Sequence, residues 1–347
     1  MTSNGKSAGE RVPFDAEQHY KNQLPSLERL ATEVQFALAH ALSSSGIKLH
    51  GVTVRVKDQT SYLEKIARKN YNDPQSEVQD LVGARIVCLY ASDLPKLGEV
   101  VESLFEVIEH EDKVNSGPSE AFGYMSVHYV CRLPATSAGP RYEGLHGLAF
   151  EIQCRTILMD AWANVSHHLA YKGEASIPRA LKRDFHALAA LFHIADSHFE
   201  ILAERSRRAD EEAAILITET SSSASLWIDM PIDRSTVQAY LVLKMRERQA
   251  IRPVEEWAVS DLVEEISELG VETVEQLDDL LTPVLALAYE YESEYPPGQS
   301  EDDGLYLFSP IGLARTGLAI ASARYASDKY PEEDRVFQDY RSRVPLN

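Results

Sequence analysis

Residues 148–154 read LAFEIQC, and this stretch alternates apolar side chains with the polar side chains of Glu151 and Gln153. Successive side chains of a β-strand point to opposite faces, so Glu151, Gln153 and Arg155 are predicted to share one face of a strand. Three polar groups on one face are costly if they are buried without partners. The stretch therefore predicts either a functional site on a sheet or an exposed sheet face.

Four further stretches have the short apolar or alternating pattern of strands. Several of them are separated by segments in which apolar residues recur at helical spacing. The predicted strands are residues 47–56 (IKLHGVTVRV), 84–90 (ARIVCLY), 105–109 (FEVIE) and 126–133 (SVHYVCRL). The predicted helices are residues 14–45, 61–70, 93–103 and most of 155–217, with a break at 177–178. Strands interleaved with helices indicate an α/β (α+β) fold class with one mixed β-sheet flanked by helices.

A polar stretch, TETSSSAS at residues 218–225, has the composition of a linker. It predicts a first domain at residues 14–217, a linker at 218–230, and an acidic, mainly helical C-terminal domain at 231–347. Within the last third, a short strand is predicted at residues 227–231 and helices at 236–248, 259–269, 274–291 and 311–325. No cluster of catalytic residue types marks this third, so a regulatory or interaction role is the expectation.

The charge of the chain is strongly negative and unevenly distributed. The formal net charge is −20 over 347 residues, and residues 205–347 hold 14 basic against 28 acidic side chains. Residues 1–204 hold 20 basic against 26 acidic side chains. An acidic surface repels bulk nucleic acid, so any nucleotide site must be a local basic patch.

The remaining composition predicts a cytoplasmic protein that does not interact with a membrane. No apolar stretch is long enough to span a bilayer, and the N-terminal residues lack the apolar core of a signal peptide. Cys88, Cys131 and Cys154 lie in strand-like runs without metal-ligand spacing, so free buried thiols are expected.

A cluster of basic residues begins near the end of the first predicted strand and continues into the next predicted helix. Arg55 and Lys57 are two residues apart on the strand, and Lys65, Arg68 and Lys69 share one face of the next helix. Cations that converge in this way could bind a triphosphate. The alternative interpretation is that these side chains lie on a solvated surface and bind no ligand.

Two other segments carry residue types with chemical potential. Asp80 stands just before a buried strand that contains Arg85, and carboxylates at strand ends are common ligands of Mg²⁺. Tyr124 opens another strand and could stack on a base, with His128 on the same face. The alternatives are a turn aspartate and a structural histidine.

Taken together, these segments resemble the synthetase domain of the RelA/SpoT family. The resemblance runs in order through VRVK, EKIARK, DLVGARIV, GYMSVHY, EIQCRT and AWANVSHHLAYK, over about residues 20–200. It implies a nucleotidyltransferase-like synthetase fold and the transfer of the β,γ-pyrophosphate of ATP to the 3′-hydroxyl of GDP or GTP, with release of AMP. Bifunctional members of the family also have a hydrolase with an HD signature. The dipeptide His-Asp is absent from this sequence, so a bifunctional synthetase–hydrolase is not expected.

The resemblance also implies a role for each matching residue. Asp80 and Glu151 would bind Mg²⁺, and Glu151 would also act as the general base. The ATP-binding residues would be Arg55, Lys57, Lys65 and Arg68. The acceptor-binding residues would be Tyr124, His128, Gln153 and Arg85.

Three positions depart from the family pattern on the acceptor side, and they keep other acceptors open. Glu120 and Met125 stand where the family has a lysine and an arginine around the stacking tyrosine, and Asp160 stands where some members have asparagine. The pattern is similar to toxic small alarmone synthetases, which make adenosine alarmones or modify the 3′-CCA end of tRNA. The alternatives to a guanine nucleotide as acceptor are therefore tRNA and an adenine nucleotide. A different alternative is that the chain is a catalytically inactive regulatory binding protein. A homo-oligomer, and a C-terminal domain that binds a regulator or the synthetase domain itself, are also left open.

Overall fold

The computed structural model describes residues 15–69, 71, 73–112, 114, 126–169, 178–220, 229–297 and 307–344. Its contacts divide the chain into two compact units, Met1–Leu202 and Ala203–Asn347. Each unit has its own hydrophobic core. In the described residues, no helix combines the length and the apolar character that a membrane span requires.

The first unit is built on a five-stranded mixed sheet. Its strands are β1 (Leu49–Val56), β2 (Val82–Cys88), β3 (Glu106–Asp112), β4 (Val127–Arg132) and β5 (Phe150–Thr156). Their order across the sheet is β1-β2-β5-β4-β3. The pair β2–β5 is parallel and the other neighbours are antiparallel. The predicted mixed sheet is confirmed, and the five strands predicted in this unit are present with their ends shifted by a few residues.

One face of this sheet is apolar and packs against helices. The long helix α1 (Ala16–Ser43) contacts β1 and β2, and its N-terminus is capped by the carboxylate of Asp15. Buried residues recur along α1 at helical spacing: Tyr20, Leu27, Leu30, Val34, Leu38 and Leu42. They share a core with Ile86 and Ile152 of the sheet. The opposite sheet face is thereby left for polar side chains.

Four of the further helices described in this unit follow the predicted pattern, whereas the short helix at Pro74–Glu77 was not predicted. These helices are α2 (Gln59–Lys69), the short α3 (Pro74–Glu77), α4 (Asp93–Leu104), α5 (Ile157–Leu169) and α6 (Arg179–Thr220). Helix α6 continues through residues 218–220, which the linker composition had assigned to a connection. The compact units divide within this helix, after Leu202, whereas the predicted boundary is residue 217. The division into domains stays a prediction.

The second unit is helical, as the sequence predicted. After the last part of α6 it contains α7 (Arg234–Lys244), α8 (Arg246–Ile251), α9 (Glu256–Glu268), α10 (Val274–Leu281), α11 (Leu285–Glu294), α12 (Pro310–Ala321), α13 (Ala323–Lys329) and α14 (Asp334–Ser342). The single helix predicted at residues 274–291 is wrong, because a 3-10 turn at Thr282–Val284 separates α10 from α11. Pro283 lies in this turn and has no N–H to continue the α-helical hydrogen bonding.

Of the short strand predicted at residues 227–231, the structure describes residues 229–231, and there one isolated bridge joins Pro231 to Thr273. Trp227 lies outside the described residues. The three cysteines are free and buried, as expected, and burial raises the pKa of Cys88 and Cys131 to about 12. These thiols are therefore protonated and unreactive at neutral pH.

Candidate active site

The polar face of the sheet forms one side of a cleft of about 230 Å³. Three strands supply its lining, since Thr53 of β1 pairs with Arg85 of β2, which in turn pairs with Gln153 of β5. The lining residues are Thr53, Arg55, Lys57, Asp80, Gly83, Ala84, Arg85, Glu151 and Gln153. Of the ten residues that the sequence singled out as site residues, six line the cleft, and two more, Lys65 and His128, contact lining residues.

Asp80 lies two residues before β2 and is bound by two lysines. Its Oδ2 accepts hydrogen bonds from Lys57 and, at 2.7 Å, from the Nζ of Lys65. Its Oδ1 is buried and has no hydrogen-bond partner among the described residues. Burial raises the pKa of Asp80, but the two lysines outweigh this effect and hold it below its ordinary value. Asp80 is therefore ionised, with one oxygen available to a ligand.

Glu151 is held by a second set of hydrogen bonds on β5 and β4. Its Oε1 lies 2.7 Å from Nδ1 of His128, and its Oε2 accepts from Nε2 of Gln153 at 2.7 Å. The Nε2 of His128 lies 2.6 Å from the hydroxyl of Ser126. Burial raises the pKa of Glu151, but the contacts with His128 and Gln153 bring it below its ordinary value. Glu151 is therefore an oriented and ionised carboxylate.

The two carboxylates share the cleft and influence each other. The negative charge of Asp80 acts on Glu151 and raises its pKa, and Glu151 in turn supports the charge of Lys57. Among the described residues, no group of three or more His, Cys, Asp and Glu side chains could hold a metal ion. Two carboxylates fit Mg²⁺ nonetheless, because this ion is usually bound through one or two carboxylates and substrate phosphates. The buried, unpartnered Oδ1 of Asp80 is consistent with such a ligand.

The predicted cations occupy different positions relative to the cleft. Arg55 and Lys57 line it, and burial lowers the pKa of Lys57, an effect that Asp80 partly offsets. Lys65 reaches the cleft through its ion pair with Asp80. Arg68 is exposed on α2 and is not among the lining residues, so its contact with ATP stays a prediction.

The predicted acceptor residues are only partly described. Arg85 and Gln153 line the cleft, and His128 contacts Glu151 beside it. Tyr124 lies outside the described residues, as do Glu120 and Met125, so base stacking by Tyr124 stays a prediction.

Three residues that the sequence reasoning did not assign also take part. Thr53 lines the cleft two residues before Arg55, and Ser126 contacts His128 from two residues before it. The two-residue periodicity of strands could have identified both. Asp160 forms salt bridges with the guanidinium groups of Arg85 and Arg155. No spacing in the sequence indicates these contacts.

Comparison with known proteins gives matches in this part of the chain. Residues 54–176 match the family model described as a region found in RelA/SpoT proteins. The GTP pyrophosphokinase YjbM of Bacillus subtilis (strain 168) is 34% identical over 134 residues, which are 38% of this chain and 61% of the relative. The GTP pyrophosphokinase YwaC of the same organism is 28% identical over 148 residues, 41% of this chain and 68% of the relative.

Solved structures of small alarmone synthetase 1 from Bacillus subtilis are also similar to the chain. One covers 55% of this chain and 99% of its own, with 25% identity and a TM-score of 0.47. Another, bound to its product pppGpp, has 24% identity, a TM-score of 0.47, and covers 54% of this chain and 98% of its own.

The family match and the cleft coincide along the chain. The matched residues begin within β1 and include the other four strands, both cleft carboxylates and helix α5. The part of the chain beyond residue 176, including the helical second unit, is additional to the match. Residues 54–176 of this chain are therefore a RelA/SpoT region.

Proposed function

We propose that the chain is a pyrophosphokinase that transfers the β,γ-pyrophosphate of ATP to the 3′-hydroxyl of GDP or GTP. The observation that carries this proposal is the convergence of Asp80 and Glu151, with Lys57 and Lys65, at one cleft inside the RelA/SpoT region. Both curated relatives are named GTP pyrophosphokinases, which supports the same reaction class with a guanine nucleotide as acceptor.

The basic side of the cleft is suited to bind the triphosphate of ATP. Arg55 presents a planar guanidinium group, and Lys57 and Lys65 present ammonium groups that Asp80 holds together. Cations in fixed positions stabilise the charge that develops on phosphoryl oxygens without reorganising during the reaction. Arg68, on the same helix as Lys65, would extend this set toward solvent.

The acidic side of the cleft is suited to activate the acceptor. Glu151 is ionised and is oriented by His128 and Gln153, so it can accept the proton of the attacking 3′-hydroxyl. The new bond joins this oxygen to the β-phosphorus, and the bond between that phosphorus and the bridging oxygen of AMP breaks. Asp80 and Glu151 would hold a Mg²⁺ ion, which supplies charge neutralisation at the phosphates.

The acceptor is tested by a labelling experiment with the full chain. Purified protein is incubated with γ-labelled ATP and, separately, with GDP, GTP, AMP, ADP, ATP or bulk tRNA. We expect label in a guanine tetra- or pentaphosphate. Label on tRNA alone or on an adenine nucleotide alone would contradict the guanine assignment and leave the reaction class standing. No label with any acceptor would favour an inactive binding protein.

The requirement for the ion is tested in the same reactions by adding a chelator. We expect that transfer stops and that it returns on addition of excess Mg²⁺. Transfer that continues at full rate in the chelator would contradict the assignment of Asp80 and Glu151 as ligands. Self-assembly of the chain, and a regulatory role of the second unit, stay predictions.

A further inference from the structure

A continuous set of hydrogen bonds runs from Glu151 to Arg85 through the first turn of α5. Gln153 donates to Glu151 at 2.7 Å, and NH2 of Arg155 donates to Oε1 of Gln153 at 2.6 Å. The NH1 of Arg155 donates to Oδ1 of Asp160 at 3.1 Å, and the NH1 of Arg85 lies 3.0 Å from the same oxygen. Asp160 thus connects two arginines of neighbouring strands, one of which lines the cleft.

The burial of these groups makes the carboxylate of Asp160 important for both arginines. Only 2% of the side chain of Arg155 is exposed, against 32% for Arg85 and 19% for Asp160. Burial and, to a lesser extent, the nearby charge of Arg85 lower the pKa of Arg155 to about 10, although Asp160 acts in the opposite direction. The two guanidinium groups therefore repel each other, and the shared carboxylate offsets that repulsion.

The geometry of Asp160 itself is well defined. Its Oδ2 accepts from Nδ2 of Asn164, one helical turn further along α5, at 3.0 Å. Its position in the first turn of the helix also stabilises its negative charge, because the N-terminus of a helix carries a partial positive charge. Both carboxylate oxygens are thus engaged, and the carboxylate is fixed relative to the sheet.

The same contacts fix the orientation of Gln153. Arg155 can only donate hydrogen bonds, so the amide oxygen of Gln153 must face it. The amino group of Gln153 then faces Oε2 of Glu151 and donates to it. The orientation of the proposed base therefore depends on Arg155, and the position of Arg155 depends on Asp160.

We propose that Asp160 is a positioning residue for the proposed pyrophosphate transfer. It acts through other side chains: it holds Arg85 at the cleft and, through Arg155 and Gln153, it holds Glu151 in its orientation. The inference rests on the proposed function, because it assumes that a nucleotide binds where Arg85 and Glu151 meet. Without the carboxylate, Arg85 is the group that moves, since it is the more exposed of the two arginines.

The test is a double-mutant cycle between Asp160→Asn and Arg85→Met in the full chain. Asparagine keeps the shape of aspartate but removes its charge, and we expect kcat/KM to fall by about tenfold, in the range of coupling between contacting residues. In the Arg85→Met background the same substitution should change kcat/KM by much less. Asp160→Glu, which keeps the charge, should recover part of the loss. Additive effects of the two substitutions would overturn the proposal.

Two controls separate this proposal from general effects and from the proposed function. Asp184→Asn removes a carboxylate from an exposed position on α6 and should leave kcat/KM unchanged. If the unmodified chain makes no labelled product, the proposed function fails; if it is active and Asp160→Asn equals it, only the positioning role fails. Should Asp160→Asn not fold, Asn164→Ala replaces it in the cycle, because it loosens the carboxylate without changing any charge.

Discussion

Replacing Asp80 by asparagine should destabilise the chain and change how ATP affects its stability. The substitution removes the carboxylate that Lys57 and Lys65 share, so two ammonium groups are left facing each other. The side chains of Lys57, Lys65 and Asp80 are 20%, 19% and 23% exposed. Loss of one partner of a buried ion pair costs about 3–5 kcal/mol, and an exposed pair contributes about 0–1 kcal/mol. For this intermediate exposure we expect a loss of about 2 kcal/mol.

The loss should depend on pH in a defined direction. The lysines hold the pKa of folded Asp80 below that of the unfolded chain, so its contribution is complete above about pH 4. It disappears as the pH falls through the lower pKa of the folded state. The stability difference between the original chain and Asp80→Asn should therefore be full at pH 7 and shrink in acid.

ATP provides a second measure of the same interaction. Its phosphates can supply the negative charge that Asp80→Asn has removed, so ATP without Mg²⁺ should stabilise this variant more than the original chain. Equilibrium urea unfolding, followed by circular dichroism with and without ATP, measures both effects. Glu17→Gln, which breaks the exposed pair with Lys21, is the control and should change stability by less than about 1 kcal/mol. If Asp80→Asn were as stable as the original chain, or if ATP stabilised both equally, the shared ion pair would not have the role described here.

Three further predictions concern the base, its ionisation and the second unit. Glu151→Gln should reduce label transfer by about 100- to 10,000-fold while circular dichroism stays unchanged, because an amide cannot accept the proton; full activity would rule out the assigned base. Since the pKa values of Asp80 and Glu151 are both lowered, transfer should be constant between about pH 6 and 8 and fall only toward about pH 4; a decline already at pH 6 would mean that a required carboxylate becomes protonated there, which would contradict the lowered pKa values. In the second unit, Arg248 donates to both oxygens of Glu292 at 2.6 Å with both side chains buried, so Arg248→Met should cost about 3–5 kcal/mol in urea unfolding, and adding Glu292→Leu should recover part of it; equal stability of the single variant and the original chain would contradict this.

The amino-acid sequence by itself determined the class of fold and most members of the cleft. Alternation along β5 placed Glu151, Gln153 and Arg155 on one face, because the side-chain period of a strand is independent of the rest of the chain. The helical spacing of apolar residues over residues 14–45 likewise predicted helix α1. Where the predictions were wrong, a local feature was underweighted: Pro283 separates α10 from α11, and polar composition did not prevent α6 from continuing to Thr220.

Only the tertiary structure decided which charged groups meet. Asp80 and Lys57 are 23 residues apart, and Asp160 and Arg85 are 75 positions apart in number, yet each pair forms a salt bridge. Such contacts follow from strand order and register, since β2 lies between β1 and β5 although the strands are distant in sequence. Local patterns determine the face on which a side chain lies, whereas the pairing of strands determines its neighbours, and therefore its charge state and its chemistry.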